Sequence, residues 1–396
     1  MKSQFRGFLF EAKHLTGLLV AAATVAVLLY MEGAAVAQSK STLSALPPTP
    51  QAPKDNPTTP AKAALGRLLF WDPLLSGPQD VACASCHHPQ NGYAEDRDLS
   101  LGVTAIGLGS SRRQAPGSSI PIVKRNSPTV VNIAFSGSDE SGRYDPATAP
   151  MFWDMRVKSL EKQALEPLKA HEEMRGTTYP EDEAVASVVA KLQANAEYRS
   201  LFAGAFGSEQ PVSAENLGRA IAAFERTLLA NNSPFDRYMR GDRSAMTEEQ
   251  VSGMRRFESV GCVKCHNGPM FSDYKLHVMG VPDNPALPAS DDGAEKTYAF
   301  RTASLRNLAF TAPYEHNGMF RTLSDVVGFY EDARGGRSRN PNVSSEKLDP
   351  LIRELGDFDE EDVDLIEFLR ALSDDSFDRT IPERVPSGLP VGGRIQ

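Results

Sequence analysis

Apolar residues recur at helical spacing in several separated stretches of the chain, and strand-like alternation is scarce. Ala64, Leu65, Leu68 and Leu69 form the first stripe, which Asp72-Pro73 stops. Helical patterns return from Ser159 to Lys169 and from Asp182 to Phe206. The stretch Ser213 to Leu229 puts Leu217, Ile221, Phe224 and Leu228 on one stripe, with Ser213 as N-cap. Thr247-Glu248-Glu249-Gln250 has the form of a capping box. The last helix runs from Glu360 to Ser373, with Val363, Ile366, Leu369 and Leu372 on one face. Gly92 to Ala149 is rich in Gly, Ser and Pro and predicts loops, as does the region that follows residue 266 to about 320. The fold class is mainly α, loop-rich, with little strand.

The start of the chain has another pattern. Lys2, Arg6 and Lys13 precede an apolar run from Leu15 to Tyr30, and Ala35-Val36-Ala37 follows with small-x-small spacing. Residues 1–37 therefore read as an export signal. The apolar run falls short of the roughly 20 residues a spanning helix needs, so no stable membrane span remains after cleavage. Six prolines between positions 47 and 60 make 38–60 a flexible, extended lead. Asn231-Asn232-Ser233-Pro234 breaks the helical pattern again, which divides the folded part into domains at 61–240 and 241–385, with a tail at 386–396. A length of 396 residues accommodates two such domains. The formal net charge of −9, with no basic run in the mature part, argues against a nucleic-acid partner.

The chemistry enters with the cysteines. Cys83-Ala84-Ser85-Cys86-His87 and Cys262-Val263-Lys264-Cys265-His266 use all four of them. Cys-x-x-Cys-His is the attachment pattern of a c-type haem. Its two thiols bond to one edge of the porphyrin, and the adjacent histidine supplies the proximal nitrogen to iron. A pair of reactive dithiols, or a four-cysteine zinc site, would need no histidine after each pair. The chain is thus predicted to carry two covalent haem c groups, through Cys83, Cys86 and His87 and through Cys262, Cys265 and His266. The motifs lie 179 positions apart, so the architecture is expected to be two cytochrome c-like domains in tandem, a diverged duplication. Attachment of haem c outside the bacterial cytoplasmic membrane agrees with the export signal and predicts a periplasmic protein.

Several further stretches resemble one family: Leu65 to Phe70, Asn126-Ser127-Pro128-Thr129-Val130, Phe152-Trp153-Asp154-Met155-Arg156, and Leu305-Arg306-Asn307 through Thr311 to Gly318. The chain is similar over residues 61–380 to the bacterial dihaem cytochrome c peroxidases and their relative MauG. The resemblance implies that Trp153 relays electrons between the haems, with Met155 where the family has glycine. It implies that Gln163 and Glu173 stand over the peroxide-binding first haem, where a carboxylate manages the proton of the bound peroxide. Glu172 is the neighbour most easily confused with Glu173. No histidine occurs between His88 and His171, so the ligand that closes this haem in many peroxidases has no counterpart; His88 is read as a surface residue.

The same alignment puts Tyr330 at the sixth ligand of the second haem, as in MauG, with Met319, Met279 and His277 as rivals. A phenolate favours the higher oxidation states of iron. His316 matches a histidine in the second haem pocket, where it is expected to hydrogen-bond or serve as a structural residue. Asn126, Thr311 and Pro313 match positions that hold calcium between the domains, an oxygen set suited to a hard cation. The surface tryptophan of MauG has no counterpart, since the position six before His266 is Val260. Together these imply a periplasmic enzyme that activates hydrogen peroxide and oxidises a protein partner. The alternatives are a peroxidase fed by a small cytochrome c or copper protein, and a dihaem electron carrier without turnover.

Overall fold

Two helix pairs organise the molecule, and each is drawn together by a glycine. In the computed structural model, which describes residues 42–207 and 209–396, the helix Pro60–Trp71 packs on Ala214–Glu225. A Cβ on Gly66 would lie 2.0 Å from the Ala220 carbonyl oxygen. The helix Glu248–Ser259 packs on Val363–Ala371, where a Cβ on Gly253 would lie 1.9 Å from the Asp364 carbonyl oxygen. No side chain fits at either crossing. Each pair stands beside one Cys-x-x-Cys-His motif, which is the tandem arrangement read from the sequence.

The first pair encloses a core of Leu65, Leu69, Val188, Tyr198, Phe202, Leu217 and Ile221. The second encloses an aromatic cluster of Phe235, Phe257, Phe271 and Phe368, with ring centroids between 5.1 and 6.1 Å apart. Arg306 is buried in that cluster, 2.9 Å from Asp236 and over the Phe235 and Phe271 rings. Strand is confined, among the described residues, to three two-stranded antiparallel ribbons: Ala105–Ile106 with Arg113–Gln114, Pro150–Met151 with Val157–Lys158, and Leu276–His277 with Phe300–Arg301.

Most helices fall where the apolar stripes put them, with shifted ends. Thr247 and Gln250 form the expected capping box, each side chain bonding the other's backbone N–H. Three expectations need correction. Ser159 to Lys169 is helical only over Leu160–Gln163, with Pro167, which has no N–H to give, in the turns beyond. Asp182 to Phe206 is two helices, Ala184–Ala194 and Ala196–Phe206. Asn195 divides them by capping the second, its side chain accepting the Tyr198 N–H at 3.0 Å. Inside the expected interdomain break, Pro234–Met239 is a helix, capped by Ser233 and Asp236, and Phe235 belongs to the second core.

The first and last described segments are exchanged between the two halves. The lead expected to be mobile is extended but anchored from residue 42 onward: Leu43 and Leu46 are buried, Gly268 N–H donates to the Thr42 carbonyl, and Leu46 N–H donates to Asp236. Prolines prevent helix there, yet two leucines suffice to hold the strand-like segment on the second half. The C-terminal segment crosses the other way. Phe377 and Val385 pack with Phe70, Trp71 and Tyr93 of the first half, and Gly392 N–H donates to the Trp71 carbonyl at 2.8 Å. The expected export signal and cleavage site lie outside the described residues. No helix among the described residues is long and apolar enough to cross a membrane.

Candidate haem sites

Both Cys-x-x-Cys-His motifs fold the same way. His87 N–H donates to the Cys83 carbonyl and His266 N–H to the Cys262 carbonyl, each at 2.9 Å, so a single turn brings thiols and imidazole together. The His87 Nδ1 donates to the Tyr93 carbonyl at 3.1 Å and the His266 Nδ1 to the Phe271 carbonyl at 2.9 Å. Tyr93 and Phe271 both take the left-handed conformation, with φ of 56° and 53°, which turns their carbonyls inward. Fixing Nδ1 in this manner leaves Nε2 as the free donor of each ring, the usual device for orienting a metal-ligating histidine. His88 is not at the surface as expected. It is 7% exposed and lies edge-on to Trp71, the last residue of the helix Pro60–Trp71, with centroids 5.5 Å apart.

Around the second motif lies a cavity enclosing about 2130 Å³ of empty space with its open mouth, lined by Cys262, Cys265, His266, Met270, Tyr330 and Trp153 among others. Tyr330 sits on the helix Leu323–Arg334, whose start is capped reciprocally by Thr322 and Asp325. Its phenol is held far above its ordinary pKa by burial first, then by Glu315 and the two thiols. Among the rival ligands, Met279 also lines the cavity, but His277 has both nitrogens occupied, Nδ1 by Asp349 at 2.6 Å and Nε2 by Asp273 at 3.1 Å.

Trp153 is buried where the halves meet. Its Nε1 donates to the Asn126 carbonyl at 3.1 Å, and its own carbonyl accepts the Arg301 N–H at 2.7 Å. Arg125 reaches Asp154 at 2.7 Å and Asp291 at 2.5 Å, tying the tryptophan loop to the second half. Met155 has φ of 57°, so the turn that glycine favours is kept at some cost in strain. His316 lies beside Trp153 with centroids 6.5 Å apart and stacks on Phe300 at 3.6 Å. Its buried Nδ1 has no partner among the described residues, and burial pushes its pKa down to about 3. Asn126, Thr311 and Pro313 line the same cavity, with the Asn126 amide nitrogen donated to the Arg97 carbonyl at 2.9 Å and its oxygen left over.

Glu173 occupies a wide π-type turn, His171–Arg175, of a kind often found at functional sites. Val103 N–H holds the Glu173 carbonyl at 2.8 Å. Burial first, and the Glu172 charge second, push its carboxyl up to about 7, against the pull of Arg156. Its charge acts on both Cys83 and Cys86. Gln163 ends its short helix half-buried, and no hydrogen bond joins it to Glu173 among the described residues. A residue not found from the sequence is Glu95, a buried carboxyl without a hydrogen-bond partner beside Cys86, pushed up to about 7 by burial. It stands in a Gly/Ser/Pro-rich loop without periodicity, so no local signal marked it.

Residues 60–244 match the family model of the di-haem cytochrome c peroxidases. Cytochrome-c peroxidase IdrP1 of Pseudomonas sp. strain SCT is 35% identical, over 90% of this chain and 91% of that protein. The methylamine utilization protein MauG of Methylorubrum extorquens is 34% identical, over 84% of this chain and 83% of that one. The chain belongs to the di-haem cytochrome c peroxidase family. A solved MauG-like protein associated with microbial copper homeostasis is 28% identical, with a TM-score of 0.66, covering 83% of this chain and 94% of that one. As a member of this family the chain is an oxidoreductase, and its implied cofactor is haem c.

The residues present fit that cofactor in a di-haem peroxidase. Each motif offers two thiols and one imidazole with an uncommitted Nε2, and the second stands in a cavity with apolar walls that include Phe257, Met270, Val327 and Leu369. Cys83, Cys86 and His87 would hold one group, and Cys262, Cys265 and His266 the other.

Proposed function

We propose that this di-haem peroxidase activates hydrogen peroxide at the first site and uses the oxidising power on a protein partner, as a MauG-like enzyme of the periplasm. Haem c, when bound, supplies the iron at which peroxide is reduced and a store for two oxidising equivalents. His87 would hold the first iron, its Nδ1 fixed on the Tyr93 carbonyl. The carrying observation is Glu173: a carboxyl pushed up to about 7 acts on both cysteines of the first motif. A carboxylate with that affinity can take the proton from the inner peroxide oxygen near neutral pH and deliver it to the outer one. Gln163 is assigned to orient the peroxide beside it.

Trp153 is assigned the electron relay, because its indole is buried between the halves and lines the cavity of the second motif. Tyr330 is assigned as the sixth ligand of the second haem. It lines that cavity, while the rival His277 is committed to two carboxylates. Asn126, Thr311 and Pro313 are assigned a calcium ion near Trp153, with the uncommitted Asn126 oxygen as side-chain ligand.

A second reading has support in the name of IdrP1, a cytochrome-c peroxidase. It shares the first step but draws two electrons from a small donor protein. Adding peroxide to the diferric protein without reductant separates the two. Prompt spectral reaction supports the MauG-like reading, whereas a requirement for prior one-electron reduction overturns it in favour of the peroxidase. Two low-spin signals and no reaction in either redox state would leave an electron carrier.

A further inference from the structure

Arg301 brings a positive charge to the cavity around Cys262, Cys265 and His266 with no anion to meet it. The guanidinium forms no ion pair or hydrogen bond with the described residues, and its Nε is fully buried. Against it lies the Tyr274 ring, with the centroid 5.4 Å from the guanidinium carbon. Tyr274 is itself buried on the same cavity wall, and its hydroxyl approaches Ser136 and the Gly137 N–H without completing a hydrogen bond. A buried charge left without a counter-charge is destabilising, and buried polar groups are nearly always partnered. A cation and a hydroxyl donor, both unmet and on one wall, are the complement of a carboxylate.

We infer that Arg301 and Tyr274 form a socket for one propionate of the second haem. The inference rests on the haem reading of that motif. The socket is also wired to the tryptophan: Arg301 N–H donates to the Trp153 carbonyl at 2.7 Å, and the ribbon Phe300–Arg301 with Leu276–His277 fixes its backbone. Arg301 therefore ties the position of the second haem to that of Trp153. Its charge opposes a further positive charge on the nearby iron, and charge and hydrogen bonding around a haem are levers on its potential. Arg301 and Tyr274 act through the propionate and are positioning residues.

The test uses the full-length dihaem protein, without peroxide, and the variants R301Q, R301K and Y274F. Haem content confirms that both groups are attached, spectroelectrochemistry gives the potential of each haem, and resonance Raman reads the propionate bending bands. The expected result in R301Q is a lower potential for the low-spin haem, a shifted propionate band and an unmoved high-spin haem. R301K should keep most of the wild-type values, and Y274F should shift the band with less change in potential. Wild-type potential and band in R301Q with both haems attached overturn the socket. A changed potential with an unchanged band assigns Arg301 to a free anion and overturns it as well. Should R301Q not mature, unchanged bands in both R301K and Y274F have the same force, and a shift in either supports the socket. Because peroxide is absent throughout, failure here is distinct from failure of the proposed activity.

Discussion

His277 Nδ1 stands 2.6 Å from an Asp349 carboxylate oxygen, and the same ring meets Asp273 on its other side. The imidazolium is clamped between two carboxylates beside Cys265, and the clamp joins the ribbon Leu276–His277 to the loop that carries Asp349. Its pKa is raised from 6.5 by the hydrogen bond to Asp273 first, with Asp349 adding to it and burial opposing.

A raised pKa means that the folded state holds the proton more tightly than the unfolded one. The contribution of His277 is therefore complete below about 6.5 and is lost as pH rises through its raised pKa. Asp273 is lowered from 3.8 to about 2, so its share is complete above 3.8 and lost as pH falls through about 2. His277→Gln should cost about 1.5–3 kcal/mol, the range for hydrogen bonds to charged groups. Urea unfolding at pH 8 checks this; a variant as stable as wild type would show that the clamp contributes nothing.

Gly253→Ala should weaken the second helix pair. The new methyl would lie 1.9 Å from the Asp364 carbonyl oxygen, a backbone atom that cannot swing aside. Overpacking of this kind costs typically about 1–3 kcal/mol, and the upper end applies where backbone must move. Thermal unfolding followed by circular dichroism, alongside Gly253→Ser as a second probe, is the measurement. An unchanged melting temperature would mean that the helices separate freely.

Glu173→Gln should slow peroxide consumption by roughly 10²–10⁴-fold, the usual worth of positioned acid–base help. The wild-type rate should rise with pH through about 7, where the carboxyl loses its proton and becomes able to accept another. The variant should lose that step. Stopped-flow rates from pH 5 to 9 would read both effects, and a retained step in the variant would assign the titration to another group.

Tyr330→Phe should alter the low-spin electron-paramagnetic-resonance signal while leaving the high-spin one in place. The reason is that Tyr330 lines the cavity of the second motif. An identical low-spin signal would remove Tyr330 as ligand and return Met279, on the same wall, as the candidate.

The sequence by itself determined what depends on covalent chemistry and short-range spacing. Two Cys-x-x-Cys-His runs specify one-turn geometry locally, which is why His87 and His266 ended in the same relation to Cys83 and Cys262. The stripe Leu217, Ile221 and Phe224 lies on one helix for the same reason, because its 3.6-residue period is a local property. The split at Asn195 was missed because a side chain competing for backbone N–H groups leaves the apolar period intact.

Only the tertiary structure decided how remote segments meet. Leu43 and Leu46 read as part of a proline-rich lead, since their partners are nearly two hundred positions or more away at Asp236 and Gly268. His88 read as exposed because its cover is Trp71, which the fold brings back from the preceding helix. Arg301 carried no signal as a charge without a counter-ion among the described residues. That property is the absence of an anion in three dimensions, whereas spacing along a chain records only what neighbours in sequence can supply.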